Sequence, residues 1–207
     1  MQNHWNLGRW LGIPVTMDWT VLMIFPWMFL WMRSVVGGLV GSLAFFGLLV
    51  VHEFGHVAAA RWRRVPVYGI NFNGMHGETA RGHAGRPLDD ILMAWGGVGA
   101  QLLVLLLTLL LSPLLESIPF IGGTLVQVWT TWNVFLIIIA LLPIGPMDGH
   151  AAWKIIPYLR ARTHRQPKPK PNGSGGKVVK LDAARRRSME AEAERKANEI
   201  IEKLKKK

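Results

Sequence analysis

Leu49-Val50-Val51-His52-Glu53-Phe54-Gly55-His56-Val57-Ala58-Ala59-Ala60 is the stretch on which the reading of this chain turns. On a helix, His52 and His56 stand one turn apart and leave the same face. The surroundings are apolar: between Val35 and Ala60 the other polar side chain is Ser42. About 20 apolar residues are enough to cross a bilayer as a helix. Ionisable groups inside such a span are costly and usually functional. Two solvated histidines on a polar face would be the ordinary reading, but this helix has no polar face. A dication held by both imidazoles offsets the cost of burying them. The spacing suits zinc, with Glu53 beside the metal to handle the proton of a water. Zinc brings the pKa of such a water towards about 7, and Glu53 is the residue expected to take its proton.

Working outward, the apolar residues of the 207-residue chain come in long runs rather than in alternation. Four segments are expected to span: about 18–32, 35–60, 88–111 and 124–142. Asp18 is placed to cap the first, and Pro26 to kink it. Tryptophans gather near the segment ends, as at Trp10, Trp31, Trp62 and Trp153. Four spans put the N-terminus, residues 61–87 and the C-terminus on one side. That side carries Arg9, Arg61, Arg63, Arg64, Arg81, Arg86 and Lys154, and the opposite loops carry Arg33 and Glu116. Positive charge marks the cytoplasmic side, so both termini are expected there, in a multi-pass inner-membrane protein. No cleavable leader is expected, because the first apolar run lacks a small-residue cleavage site.

Residues 64–87 do not read as a span. Val65 to Phe72 reads as a strand and Asn73-Gly74 as a hairpin turn, with a second extended piece at 4–15. The fold expected is an all-α polytopic membrane protein of about four transmembrane helices, with a small membrane-associated β element and a soluble C-terminal helical tail. Residues 1–160 form the core, 161–178 a flexible linker rich in Pro, Gly and Lys, and 179–207 a charged amphipathic cytoplasmic helix. On that helix Met189, Ala193, Ala197, Ile200 and Leu204 lie near one face, available to a partner helix or to lipid. The net charge of +11 belongs mostly to the last 47 residues, which hold 15 Lys/Arg and 6 Asp/Glu. A basic tail of this kind predicts a solvated extension or contact with anionic lipid, and no nucleic-acid partner.

Two imidazoles leave a catalytic zinc one protein ligand short. The chain has no cysteine, so the third must be His, Asp or Glu. Asp148 lies just past the cytoplasmic end of the last span, at the depth of the two histidines. Pro143 and Pro146 break the helix before it and Gly149 lets the chain turn, although an ordinary Asp-Gly turn fits the same residues. His76, Glu78 and His83 match no familiar ligand spacing and read as exposed loop residues.

His52-Glu53-Phe54-Gly55-His56 followed by Pro143-x-x-Pro146-x-Asp148-Gly149 resembles the site-2 protease family of intramembrane metalloproteases. Leu7-Gly8-Arg9-Trp10-Leu11-Gly12-Ile13-Pro14-Val15 is similar to that family's N-terminal segment. Ala94-Trp95-Gly96-Gly97-Val98-Gly99-Ala100-Gln101 is similar to the Gly-rich start of its third core helix. The resemblance covers roughly residues 7–158. It implies Asp148 as third ligand to one Zn2+ per chain. It implies hydrolysis of a peptide bond in or near the transmembrane segment of a membrane-protein substrate. It also implies that a hairpin near Ile70 to Gly82 offers a strand edge to the unwound substrate. The family usually has Asn where Ala140 stands, a residue thought to hold substrate, and Gln101 stands where Asn is frequent. Asn133, two turns before Ala140, is a candidate to take over that role, and Gln101 and Asn73 are further candidates for substrate contact. The alternatives are a proteolytically inactive membrane adaptor that keeps a metal site, and a small cation transporter, for which repeat halves are lacking.

Overall fold

The computed structural model describes residues 4–163, apart from 75 and 146, and the helical residues 187, 188, 190–192 and 194–196. The chain divides into two units, Met1–Thr163 and His164–Lys207. The expected linker falls almost wholly outside the described residues, as do Met189, Ala193, Ala197, Ile200 and Leu204 of the expected tail face. Pro146, one of the two expected helix breakers, also lies outside them.

The first unit is mostly helical, with one four-stranded sheet in the order β1-β2-β3-β4. Strands β1 (His4–Trp10) and β2 (Ile13–Asp18) form an antiparallel hairpin. Its turn residues Leu11 and Gly12 both have positive φ, 51° and 81°, which gives a turn whose twist matches the strands. Strand β2 pairs in parallel with β3 (Val67–Asn73), and β3 pairs antiparallel with β4 (His76–Arg81). The expected Asn73-Gly74 turn joins β3 to β4, with Gly74 at φ 57°. The β element is therefore larger than the sequence suggests, because the two extended pieces join across the helices between them.

A 3-10 turn (Trp19–Met23) leads into α1 (Ile24–Met32), and Ser34 caps the long α2 (Val35–Trp62). Then come α3 (Pro87–Glu116), α4 (Gly122–Gln127), a π-helical turn (Val128–Trp132) and α5 (Asn133–Ala140). Among the described residues, three helices are long and apolar enough to cross a membrane: Val35–Trp62, Pro87–Glu116 and Gly122–Ala140. The expected first span is not one of these, since Trp19–Met32 is a shorter apolar helix. The sheet explains why. Met28, Phe29 and Met32 of α1 pack on Gly38 and Gly41 in the first half of α2. Further along α2 the sheet takes over, with Phe72 against Phe46 and Trp10 stacked on Phe54. Its backbone is paired strand to strand, as any backbone away from water must be. Val15, Ile70 and Phe72 from the sheet share one core with Phe45, Leu48 and Leu49 of α2 and with Trp132.

Past the last span the chain forms two short helices, α6 (Asp148–Ala152) and α7 (Ile155–Thr163). Pro157 has no N–H to bond the carbonyl of residue 153, so the chain restarts with proline in a first turn. Leucines of α3 such as Leu103, Leu106, Leu110 and Leu114 are exposed on the protein surface. Such a surface suits lipid rather than water, and the chain is a membrane protein.

Candidate metal centre

The site begins with the packing of α2 on α3. Gly55 of α2 and Gly96 of α3 meet backbone to backbone. A Cβ on Gly96 would lie 2.6 Å from the Gly55 carbonyl oxygen, so a side chain at either place would force the helices apart. This close approach brings two α3 acceptors against the histidines. His56 Nδ1 lies 2.7 Å from the Met93 carbonyl oxygen, and His52 Nδ1 lies 3.1 Å from Gln101 Oε1. Each acceptor fixes the N–H at Nδ1, leaving the Nε2 lone pair of both rings free to face inward.

Asp148, at the start of α6, completes the group. Its Oδ2 lies 2.9 Å from His52 Nε2 and 3.2 Å from His56 Nε2, and the two Nε2 atoms are 3.0 Å apart. The turn that carries it is tight: a Cβ at Gly149 would stand 2.5 Å from the Leu142 carbonyl oxygen. Two indoles in edge-to-face contact clamp it, Trp95 donating to Ala152 O at 3.2 Å and Trp153 donating to Leu141 O at 2.7 Å. Burial works to raise the Asp148 carboxyl. Whenever His52 or His56 takes a second proton, at Nε2, its hydrogen bond and charge outweigh burial and hold the group below the ordinary carboxylate range, so it stays ionised.

Three electron-pair donors thus converge with their hydrogens already committed elsewhere. Such a group repels itself unless a cation sits among them, and it could hold a metal ion. A cradle for one exists. Gly97 borders the site so closely that a Cβ there would stand 2.6 Å from His56 Nε2 and 2.7 Å from His52 Nε2.

The buried carboxylate of Glu53 faces the same cavity from α2. Thr79 Oγ1 of β4 donates to Glu53 Oε2 at 2.6 Å. The cavity encloses about 590 Å3. One wall is β4, with His76, Glu78, Thr79 and Arg81, and the other is apolar, with Leu49, Trp132, Leu136 and Ile139. Ala140 lies on its lining too.

The structure brings His52, Glu53, His56, Asp148 and Gln101 together. It places the other two candidates elsewhere. Asn133 is buried behind the cavity, with Nδ2 donating to Gln101 O at 2.9 Å and to Trp129 O at 3.3 Å. Asn73 sits at the hairpin turn, its Oδ1 3.0 Å from Thr20 Oγ1. Gln101 lines the cavity, but its Oε1 is engaged with His52. Sequence reasoning gave no role at the site to Met93, Gly97, Gly77 or Thr79. The Gly96-Gly97 pair was a visible signal of close helix approach. A backbone carbonyl such as that of Met93 leaves no signal in sequence.

No family model matches the chain. It is 26% identical over 150 residues to Stage IV sporulation protein FB of Bacillus subtilis (strain 168), an alignment covering 69% of this chain and 48% of the relative. The chain spans about half the length of that curated relative. Among solved structures it is similar to the Site-2 Protease from Methanocaldococcus jannaschii, with TM-score 0.59, 20% identity, and 76% of this chain and 73% of that chain covered. The motif pair, the shared fold and the curated relative together support a site-2 protease family assignment for this chain.

Proposed function

We propose that the chain is an intramembrane zinc metalloprotease that hydrolyses a peptide bond in or near the transmembrane segment of a membrane-protein substrate. The observation that carries the reading is the convergence of two imidazole Nε2 atoms and one carboxylate beside a second, buried carboxylate. His52, His56 and Asp148 would hold the zinc. When bound, zinc supplies Lewis-acid polarisation of the scissile carbonyl and a more acidic water.

The remaining work falls to the chain. Glu53 accepts the proton of the attacking water and later delivers it to the leaving amine. Its burial keeps bulk solvent from competing for that proton. The apolar wall of Leu49, Trp132, Leu136 and Ile139 receives side chains of a membrane segment. Strand β4 is an edge of the sheet and lines the cavity, so an unwound substrate backbone can recover its hydrogen bonds there. The Arg-rich side of the helices, with both termini, faces the cytoplasm of an inner membrane. Asp148 at the head of α6 then lies near the cytoplasmic surface, where water has the shortest path to the site.

The test uses a panel of reporters, each with one transmembrane helix between two fluorescent proteins, co-reconstituted with the full chain in phospholipid vesicles. The wild type is expected to cut at least one reporter, to stop with a zinc chelator and to resume with added zinc. Glu53→Gln is expected to keep one zinc per chain and lose cleavage. Cleavage by Glu53→Gln, or a purified wild type that takes up no zinc, overturns the proposal.

A further inference from the structure

Glu53 and the ligand His52 are neighbours in sequence but are held by different parts of the fold. His52 is held by α3 through Gln101. Glu53 is held by the sheet. Along β4 the alternate residues Gly77, Thr79 and Arg81 are the less exposed set, so they form the row that faces the helices. Each meets a defined partner. Thr79 Oγ1 donates to Glu53 Oε2 at 2.6 Å. Gly77 lies flat against the same carboxylate: a Cβ there would stand 2.5 Å from Glu53 Oε1 and 2.6 Å from Cδ. Arg81 reaches past both to Asp90 at the head of α3, with Nη1 2.9 Å from Oδ1. The register Phe72↔Gly77 and Ile70↔Thr79 ties this row to β3 residues buried in the core.

From this row we infer that Thr79 is a positioning residue for Glu53, with Gly77 supplying the clearance that lets β4 close on the carboxylate. The inference rests on the proteolytic reading given above and deepens it. A glutamate has three rotatable side-chain bonds, and a proton acceptor must be held close to its productive geometry. Burial alone would leave the Glu53 carboxylate free to turn within the cavity. A hydroxyl donor on one oxygen and a missing side chain beside the other leave it one orientation, with Oε1 directed away from Thr79. The strand that supplies this donor is also the edge strand lining the cavity. Whatever seats against β4 therefore bears on the residue that holds the general base.

The experiment compares Thr79→Val, which keeps the shape and removes the hydroxyl, with Thr79→Ser, which keeps the hydroxyl and removes a methyl. Cleavage of a reporter cut by the wild type is measured alongside zinc content and the 13C carboxyl resonance of glutamate-labelled protein. That resonance is assigned by its loss in Glu53→Gln. Thr79→Val is expected to lower kcat roughly tenfold to a hundredfold, with KM within about twofold and one zinc per chain. It should also shift the Glu53 resonance, and Thr79→Ser should restore both rate and resonance. Gly77→Ala should lower kcat as Thr79→Val does. Wild-type kcat and an unmoved resonance in Thr79→Val overturn the inference. Equal losses in the Val and Ser variants overturn it as well, because packing would then be the cause. Loss of zinc in Thr79→Val alone does the same, since Thr79 makes no hydrogen bond to a ligand among the described residues. The resonance needs no substrate, so a failure of the proteolytic reading shows separately, as a Glu53→Gln that still cleaves.

Discussion

Gly97→Ala is the sharpest probe of the metal centre, because the new methyl would enter the space between the two imidazoles. Its carbon would lie 2.6 Å from His52 Cε1, 2.6 Å from His56 Nε2 and 2.7 Å from His52 Nε2, roughly 0.8 Å inside ordinary contact at 3.4 Å. Side chains usually swing away from such a clash at little cost. These rings cannot, since Met93 O and Gln101 Oε1 hold their far nitrogens. Metal–ligand distances tolerate about 0.2 Å. At least one imidazole must therefore leave the coordination sphere. Residues that merely support a ligand cost about tenfold to a hundredfold in metal affinity when removed. Losing a ligand should exceed that, so zinc affinity is expected to fall more than about a hundredfold, or about 2.8 kcal/mol. Helix propensity acts in the opposite direction, since alanine favours a helix interior over glycine by about 0.5–1 kcal/mol. Gly99→Ala two residues on is the control, because a Cβ there meets nothing within 4 Å. Chelator competition on detergent-purified protein reads the affinity, and thermal unfolding without zinc reads the fold. A Gly97→Ala protein that binds zinc within a few-fold of the Gly99→Ala protein would refute the site as described.

Gln101→Leu removes the acceptor on His52 Nδ1 while filling similar space, and zinc affinity by the same competition should drop about tenfold to a hundredfold. Unchanged affinity would mean that another group orients His52. Asn133→Ala breaks the bond to Gln101 O and should cost about 0.6 kcal/mol, at most about 1.7, in thermal unfolding, with zinc content and cleavage retained. Lost cleavage at full stability would instead place Asn133 against substrate.

Much of the helical frame was legible because burying ionisable groups in an apolar run is so costly. The reading from Val35 to Ala60 met α2 at its first residue and fell two short of its last. The Asn73-Gly74 turn was legible because few residues accept a positive φ. The parallel pairing of β2 with β3 was not. It joins residues such as Val15 and Ile70 across two intervening helices, and hydrophobic alternation says nothing about a partner so distant. The short first helix follows from that pairing and was hidden with it. Asn133 illustrates another limit. It shares a helix face with Ala140, as its spacing implies, but seven residues lift it about 10 Å along the axis. At that height α3 already closes over the face, and the amide meets the Gln101 backbone.

Helices and sheet contribute separable parts of the site, and variants should sort accordingly. His52, His56 and Asp148 are oriented from α3 and from the indole clamp of Trp95 and Trp153. Glu53 is oriented from β4, with no contact from Thr79 to any of the three ligands among the described hydrogen bonds. Changes on the α3 face, at Gly97 or Gln101, should therefore reduce zinc content first, and cleavage only as a consequence. Changes on the inward row of β4 should leave zinc in place and slow the cut. A β4 variant that lost zinc, or an α3 variant that kept it while losing cleavage, would show that the two supports are mechanically one. The sheet would then be part of the metal scaffold rather than the element that sets the general base.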